Sequence, residues 1–141
     1  MIKPLNLPPT EKFTAIAGRY ALRLIAVFGS AVRGQTHAES DVDVAVLTAK
    51  KLTPAKRLAL WGELSRLFPR DVDLSVINYI DPVVAFQIAR EGIILFEAEA
   101  DAWENWKSYA IRQYWDTEKF RLDLKRYVVE QAEDLRHVLA E

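Results

Sequence analysis

Two aspartates one residue apart, Asp41 and Asp43, open an apolar run that continues through Val44, Ala45, Val46 and Leu47. In an extended chain residues i and i+2 project from the same face, so both carboxylates point one way, about 6–7 Å apart along the strand. Two anions held on one face call for a cation to offset their repulsion. Upstream, the apolar run from Leu22 to Phe28 breaks at Gly29-Ser30, and six mostly polar residues at 35–40 precede the aspartates. Glycine lets backbone come close to a phosphate, and Ser30 and the amides after it can donate to one. The stretch predicts a strand, a tight turn, a loop and a second strand, with a metal site beside a phosphate-cradling turn. Read alone, the aspartates are turn or cap residues and the glycine is an ordinary turn. That reading weakens because Asp71-Val72-Asp73 repeats the pattern on a later apolar run.

The rest of the chain reads as helices between strands. Prolines at 4, 8 and 9 keep the first nine residues irregular, and Thr10 is placed to cap a helix running through Phe13, Ile16 and Ala17 to about Tyr20. A short helix starts at Ser30. Thr53-Pro54 is a capping residue followed by proline at the first helical position, and the helix is expected to bury Leu58, Trp61, Leu64, Leu67 and Phe68 before Pro69. Asp71 to Ile77 is the third strand. Asp81-Pro82 opens a helix through Val84, Ala85 or Phe86, Ile88 and Ala89 that ends at Gly92, and Ile93 to Phe96 is a short fourth strand. Strands alternating with helices imply a sheet with helices packed on it.

Beyond Glu97 the pattern changes. Residues 101–141 hold no glycine or proline and show two helical stripes, first Trp103, Trp106, Ala110 and Tyr114, then Phe120, Leu124, Tyr127, Val128, Leu135 and Val138. One long helix or two are expected. The tryptophans at 103–115 serve as core packing or as a partner-binding face. The chain divides into 1–98, carrying the site, and 99–141, a helical extension packed on it as one compact unit.

Composition narrows the function. With 141 residues, half of them hydrophobic, one domain can bury a full core. A net charge of −1 is unlike the basic footprint of a general nucleic-acid binder, so no direct nucleic-acid contact is expected. The absence of cysteine excludes disulfides, thiol catalysis and cysteine-ligated zinc. No apolar run reaches the roughly 20 residues of a membrane span, and the N-terminus lacks the apolar core of a secretory signal. A soluble cytoplasmic protein is expected. Gly29-x4-Gly34-Gln35-Thr36 approximates a phosphate-binding P-loop, but Gln35 stands where that motif needs lysine. His37 and His137 have no motif partner and receive no role. Arg33 stands ready to contact phosphate, brace the loop or pair with a carboxylate.

Gly29-Ser30, ten intervening residues and Asp41-x-Asp43, with Arg33-Gly34 in the loop and a later strand carboxylate, resemble the signature of the polymerase-β-like nucleotidyltransferase superfamily. Size and the helix before the first strand are most similar to its minimal nucleotidyltransferases, commonly antitoxins paired with HEPN-domain toxins. The resemblance spans roughly residues 10–98. It implies an α+β fold, a mixed sheet of about four strands flanked by helices, with the C-terminal helical extension. It further implies that Gly29, Ser30 and Arg33 hold the nucleoside triphosphate and that Asp41 and Asp43 bind two Mg²⁺. Asp73 would bind the metal nearer the acceptor and help to deprotonate its hydroxyl. Asp73 is preferred to Asp71 because it lies inside the strand, whereas Asp71 follows Pro69-Arg70 and its turn. The expected reaction moves AMP from ATP·Mg²⁺ to a hydroxyl, plausibly a tyrosine, of a cognate HEPN toxin. The competing expectations are a small-molecule nucleotidyltransferase of the aminoglycoside type and an antitoxin that masks its toxin without chemistry.

Overall fold

A computed structural model describes residues 7–33 and 41–140. The polar loop expected at 35–40, with Gln35, Thr36 and His37, lies outside the described residues, as do Gly34 and Pro4.

Four strands, β1 (Leu22–Phe28), β2 (Val42–Thr48), β3 (Val72–Val76) and β4 (Ile93–Glu97), form one mixed sheet in the order β3-β2-β1-β4. β1 runs antiparallel to both neighbours, while β2 and β3 are parallel. Six helices accompany them: α1 (Thr10–Tyr20), α2 (Ser30–Arg33), α3 (Pro54–Ser65), α4 (Pro82–Glu91), α5 (Ala102–Asp116) and α6 (Glu118–Ala140). The architecture is the α+β sheet expected from the sequence.

Period-two alternation assigns the two faces of the sheet. Ile25, Val27, Val42, Val44, Val46, Val72 and Leu74 bury against Phe13, Ile16 and Ala17 of α1 and Leu60 and Leu64 of α3. Leu24, Ala26, Phe28 and Ala45 bury on the other face against Ala85, Ile88 and Ala89 of α4 and Trp103, Trp106 and Ala110 of α5. By the same alternation Asp43 and Asp73 fall on this second face, Asp43 half-buried and Asp73 exposed. The central strands β1 and β2 are almost wholly buried, which is why they read as near-continuous apolar runs.

Local chemistry explains the helix ends. The Thr53 hydroxyl accepts from the Lys56 N–H, with Pro54 at the first helical position, and the Asp81 carboxylate accepts from the Val83 N–H before Pro82. Thr10 does not cap α1. Pro9 holds the cap position without a side-chain bond, and Thr10 is the first helical residue. Gly92 follows α4 in extended rather than left-handed backbone. Its small size is needed for packing instead, since a Cβ there would lie 2.5 Å from the Ile88 carbonyl and 3.1 Å from the Trp103 ring.

α3 buries Leu64 as expected, with Leu67 and Phe68 packed on the core beyond its end, but Leu58 and Trp61 stay outside the core. Leu60 is buried, whereas Leu58 and Trp61 are 67% and 43% exposed. Trp61 lies along the open edge of β3, where its indole N–H donates to the Val72 carbonyl at 2.8 Å, and Arg57 donates to the Leu74 carbonyl at 3.2 Å. Side chains thus satisfy backbone acceptors that an edge strand otherwise offers to another chain. The C-terminal extension divides in two. α5 packs on the sheet through Trp103, Trp106 and Ala110, but α6 has no buried residue, which departs from the compact packing expected for 99–141. Among the described residues no helix is long and apolar enough to cross a membrane.

Candidate active site

The site forms where β1 ends. Gly29 takes φ +80°, a left-handed conformation that side chains with a Cβ rarely adopt, and turns the chain off the sheet into α2. Its carbonyl accepts from the N–H groups of Val32 and Arg33, both at 3.2 Å, which closes the turn. A Cβ at this position would run into the Asp43 carboxylate, with the Asp43 Cγ only 3.1 Å away. Glycine is therefore required twice, once for its backbone angle and once because the Asp43 side chain occupies the space. Ser30 is the first residue of α2 and half-buried.

The strand register brings the second carboxylate in. Phe28 pairs with Asp43 across the antiparallel β1–β2 ladder, and Asp43 pairs with Asp73 across the parallel β2–β3 ladder. The Val42 N–H donates to the Asp71 carbonyl at 2.8 Å, which locks that register at the end of the strands. Asp41 lies one residue before β2 and is exposed, as is Asp73, while Asp43 is half-buried. Burial pushes the Asp43 carboxyl above the usual carboxylate range, and the negative charges of Asp73 and Asp41 push it further, against a smaller opposing pull from Arg33. The three aspartates thus act on one another electrically, and their strain centres on Asp43.

Arg33 reaches toward a carboxylate rather than open solvent. It ion-pairs with Glu91, in the last turn of α4, at 3.0 Å. Glu91 is absent from the sequence reading, as is Gln87, whose amide donates to it at 3.5 Å. A glutamate ending a helix carries no local signal of a partner 58 residues away. Asp71 also pairs through its backbone at the start of the strand, consistent with a turn role for that residue.

Among the described residues no three His, Cys, Asp or Glu side chains converge closely enough to hold a metal ion as they stand. The chemistry of the donor set nevertheless fits one. It consists of carboxylate oxygens only, the ligands that Mg²⁺ prefers. The repulsion acting on Asp43 is of the kind a bound dication relieves, and the cradle beside Gly29 is kept open by the missing Cβ.

Residues 11–101 match the family model "Polymerase beta, Nucleotidyltransferase". The chain belongs to this family. Among individual proteins, it is 35% identical over 80 residues to the protein adenylyltransferase MntA of Shewanella oneidensis, covering 57% of this chain and 58% of that protein. It is 26% identical over 96 residues to the protein adenylyltransferase MntA of Aphanizomenon flos-aquae, covering 61% and 64%. The matched stretch spans less than two thirds of either relative. Similar solved structures include a toxin–antitoxin complex with AMP-PNP, with a TM-score of 0.71, 28% identity and coverage of 85% of this chain and 98% of that one. They also include the tri-AMPylated HEPN toxin of Shewanella oneidensis in complex with its MNT antitoxin, with a TM-score of 0.65, 25% identity and coverage of 85% and 95%. Within the family fold, the turn at Gly29 lies against Asp43, which pairs with Asp73 in the β2–β3 register.

Proposed function

We propose that this nucleotidyltransferase is an antitoxin that transfers AMP from ATP to a hydroxyl, a tyrosine by preference, of a cognate HEPN toxin in the cytoplasm. The observation that carries the reading is the register pairing of Asp43 with Asp73 directly behind a Gly29 turn that only glycine permits. Adenylyltransferase relatives and the likeness to toxin–antitoxin complexes, one of them with AMP-PNP, support the donor and the partner.

In the proposed reaction Gly29 and Ser30 hold the triphosphate, with Ser30 donating to a β- or γ-phosphate oxygen. Arg33 braces the turn through Glu91 and contributes positive charge on the phosphate side. Asp41 and Asp43 would hold two Mg²⁺ ions, with Asp73 completing the ligand set on the acceptor side. When bound, Mg²⁺ supplies neutralisation of the phosphate oxygens and of the departing pyrophosphate. Asp73 orients the acceptor hydroxyl and takes its proton. The acceptor oxygen bonds to the α-phosphorus as the bond to the bridging oxygen breaks, and pyrophosphate leaves in line. Positioning and charge stabilisation account for the acceleration, as in phosphoryl transfer generally.

The test pairs the protein with the product of the adjacent reading frame, Mg²⁺ and α-labelled ATP. Label is expected on the partner with the native chain and lost with Asp41→Ala, Asp43→Ala. Asp73→Asn should retain nucleotide binding while transfer falls by at least about 100-fold, the usual worth of a positioned acid or base. Full neutralisation of the toxin by the double variant, with no label in either case, would overturn transfer in favour of masking by binding. Label on an aminoglycoside rather than on the protein partner would establish the small-molecule reading.

A further inference from the structure

α6 is a 23-residue helix with no buried residue. It follows α5 directly, with Thr117 alone between the two helices. The Thr117 N–H donates to the Gln113 carbonyl and the Arg121 N–H to the Thr117 carbonyl, both at 3.1 Å, so Thr117 closes α5 on one side and opens α6 on the other. Arg121 ties the two helices together, donating to the Tyr114 carbonyl at 2.7 Å with its guanidinium 4.0 Å from the Tyr114 ring centroid. α6 is roughly 34 Å long at 1.5 Å per residue, and every residue from Leu122 to Ala140 is exposed.

At 3.6 residues per turn, Phe120, Leu124, Tyr127, Val128, Leu135 and Val138 fall within about a third of the helix circumference, interrupted only by Gln131. These six are 50–69% exposed. A stripe this wide is the width of a core-facing helix, and an isolated helix gains little from leaving it in water. The chain's own domain does not cover it.

The charges beside the stripe indicate what does. Asp123, Glu130 and Asp134 line one edge, and Lys125 and Arg136 line the other, with Lys119 and Glu118 at the helix start reversing the sign of each edge there. Among the described residues none of these side chains forms an ion pair. We propose that α6 pairs side by side with α6 of a second copy of this chain, in parallel, burying the two stripes against each other. A two-fold axis along the helices sets the acidic edge of each copy against the basic edge of the other at the same level. Asp123 then faces Lys125 of the second copy and Asp134 faces its Arg136, each offset by two residues, about 3 Å of rise. Antiparallel pairing instead sets like-charged edges together, which disfavours it. The two site-bearing domains end up at the same end of the helix pair, each with its Gly29 turn and aspartates free, so the pairing is independent of the transfer reaction.

Sedimentation equilibrium of the full chain tests this. The expected result is a reversible monomer–dimer equilibrium at micromolar concentration, lost in Leu124→Asp, Leu135→Asp. Two charge variants, Asp123→Lys with Asp134→Lys and Lys125→Glu with Arg136→Glu, should each be monomeric alone and dimerise when mixed. They leave the apolar stripe intact, so they decide the matter even where the first variant folds poorly. Orientation follows from the absence of native cysteine. Val138→Cys should form a disulfide-linked dimer under mild oxidation, as should Gln131→Cys near the helix midpoint. Cross-linking by Gln131→Cys but not Val138→Cys would overturn the parallel arrangement. A chain that stays monomeric at all concentrations, with α6 amides protected from exchange only after a toxin is added, would overturn self-pairing and give the stripe to that partner.

Discussion

Gly29 couples backbone conformation to electrostatics at a single residue. Its positive φ directs the chain off β1, and its missing side chain leaves room for the Asp43 carboxylate. Gly29→Ala is expected to destabilise the fold by at least about 1–2 kcal/mol, the cost of a left-handed alanine, because the overlap with Asp43 adds to it. Urea unfolding measures that loss. Nucleotide affinity should fall in the same variant, since Asp43 must move. A neutral result in both assays would remove the turn from the site. Asp43 itself carries the opposite lesson. Half-buried beside two like charges, it is a local liability that the fold retains, as expected where charge serves binding rather than stability.

Between elements, the clearest electrostatic clasp joins α1 to α3. Glu63 accepts from Tyr20 and pairs with Arg19, and these contacts, the Tyr20 hydrogen bond foremost, hold the Glu63 carboxyl below its ordinary value. The same bond to Glu63, followed by desolvation, holds the Tyr20 hydroxyl above its ordinary value. A depressed carboxyl contributes stability above the unfolded value near 4.3 and loses it as pH falls through the folded value. Glu63→Gln should therefore lower Tm slightly at neutral pH, and its difference from the native chain should close in acid. The clasp is solvent-exposed, so the change is expected to stay within about 1 kcal/mol. A gap that widens on acidification would contradict this assignment.

Across the whole molecule, stability concentrates in the two cores on either side of the sheet. Trp103 stacks on Trp106 at 5.7 Å between ring centroids and fills the space that Gly92 leaves open. Trp103→Ala is expected to cost about 3–5 kcal/mol by chemical denaturation, the range for a buried aromatic. Tyr127→Ala on α6 should leave the unfolding of the domain within about 0.5 kcal/mol, because Tyr127 is 58% exposed and touches no core. Equal losses in the two variants would mean that α6 belongs to the domain core after all.

Much of this protein was legible in its sequence. Apolar runs bounded by glycine, proline and capping residues placed all four strands within a residue or two, because backbone propensity and period-two alternation act locally. The spacing from Gly29 to Asp41 and Asp43 pointed to the candidate site for the same reason, since both lie within one strand-turn-strand unit. The sequence favoured Asp73 over Asp71, but only the tertiary structure decided that it sits directly beside Asp43. The parallel register of β2 and β3 sets Asp43 beside Asp73, a pairing 30 residues apart that no local rule contains. It also decided that Leu60 rather than Leu58 faces the core, because α3 has apolar residues on two sides and Trp61 is drawn to the β3 edge carbonyl. Arg33 finding Glu91, and an apolar α6 left in solvent, follow likewise from where elements dock. Periodicity reports that a helix has a face to bury; only the assembled fold determines what buries it.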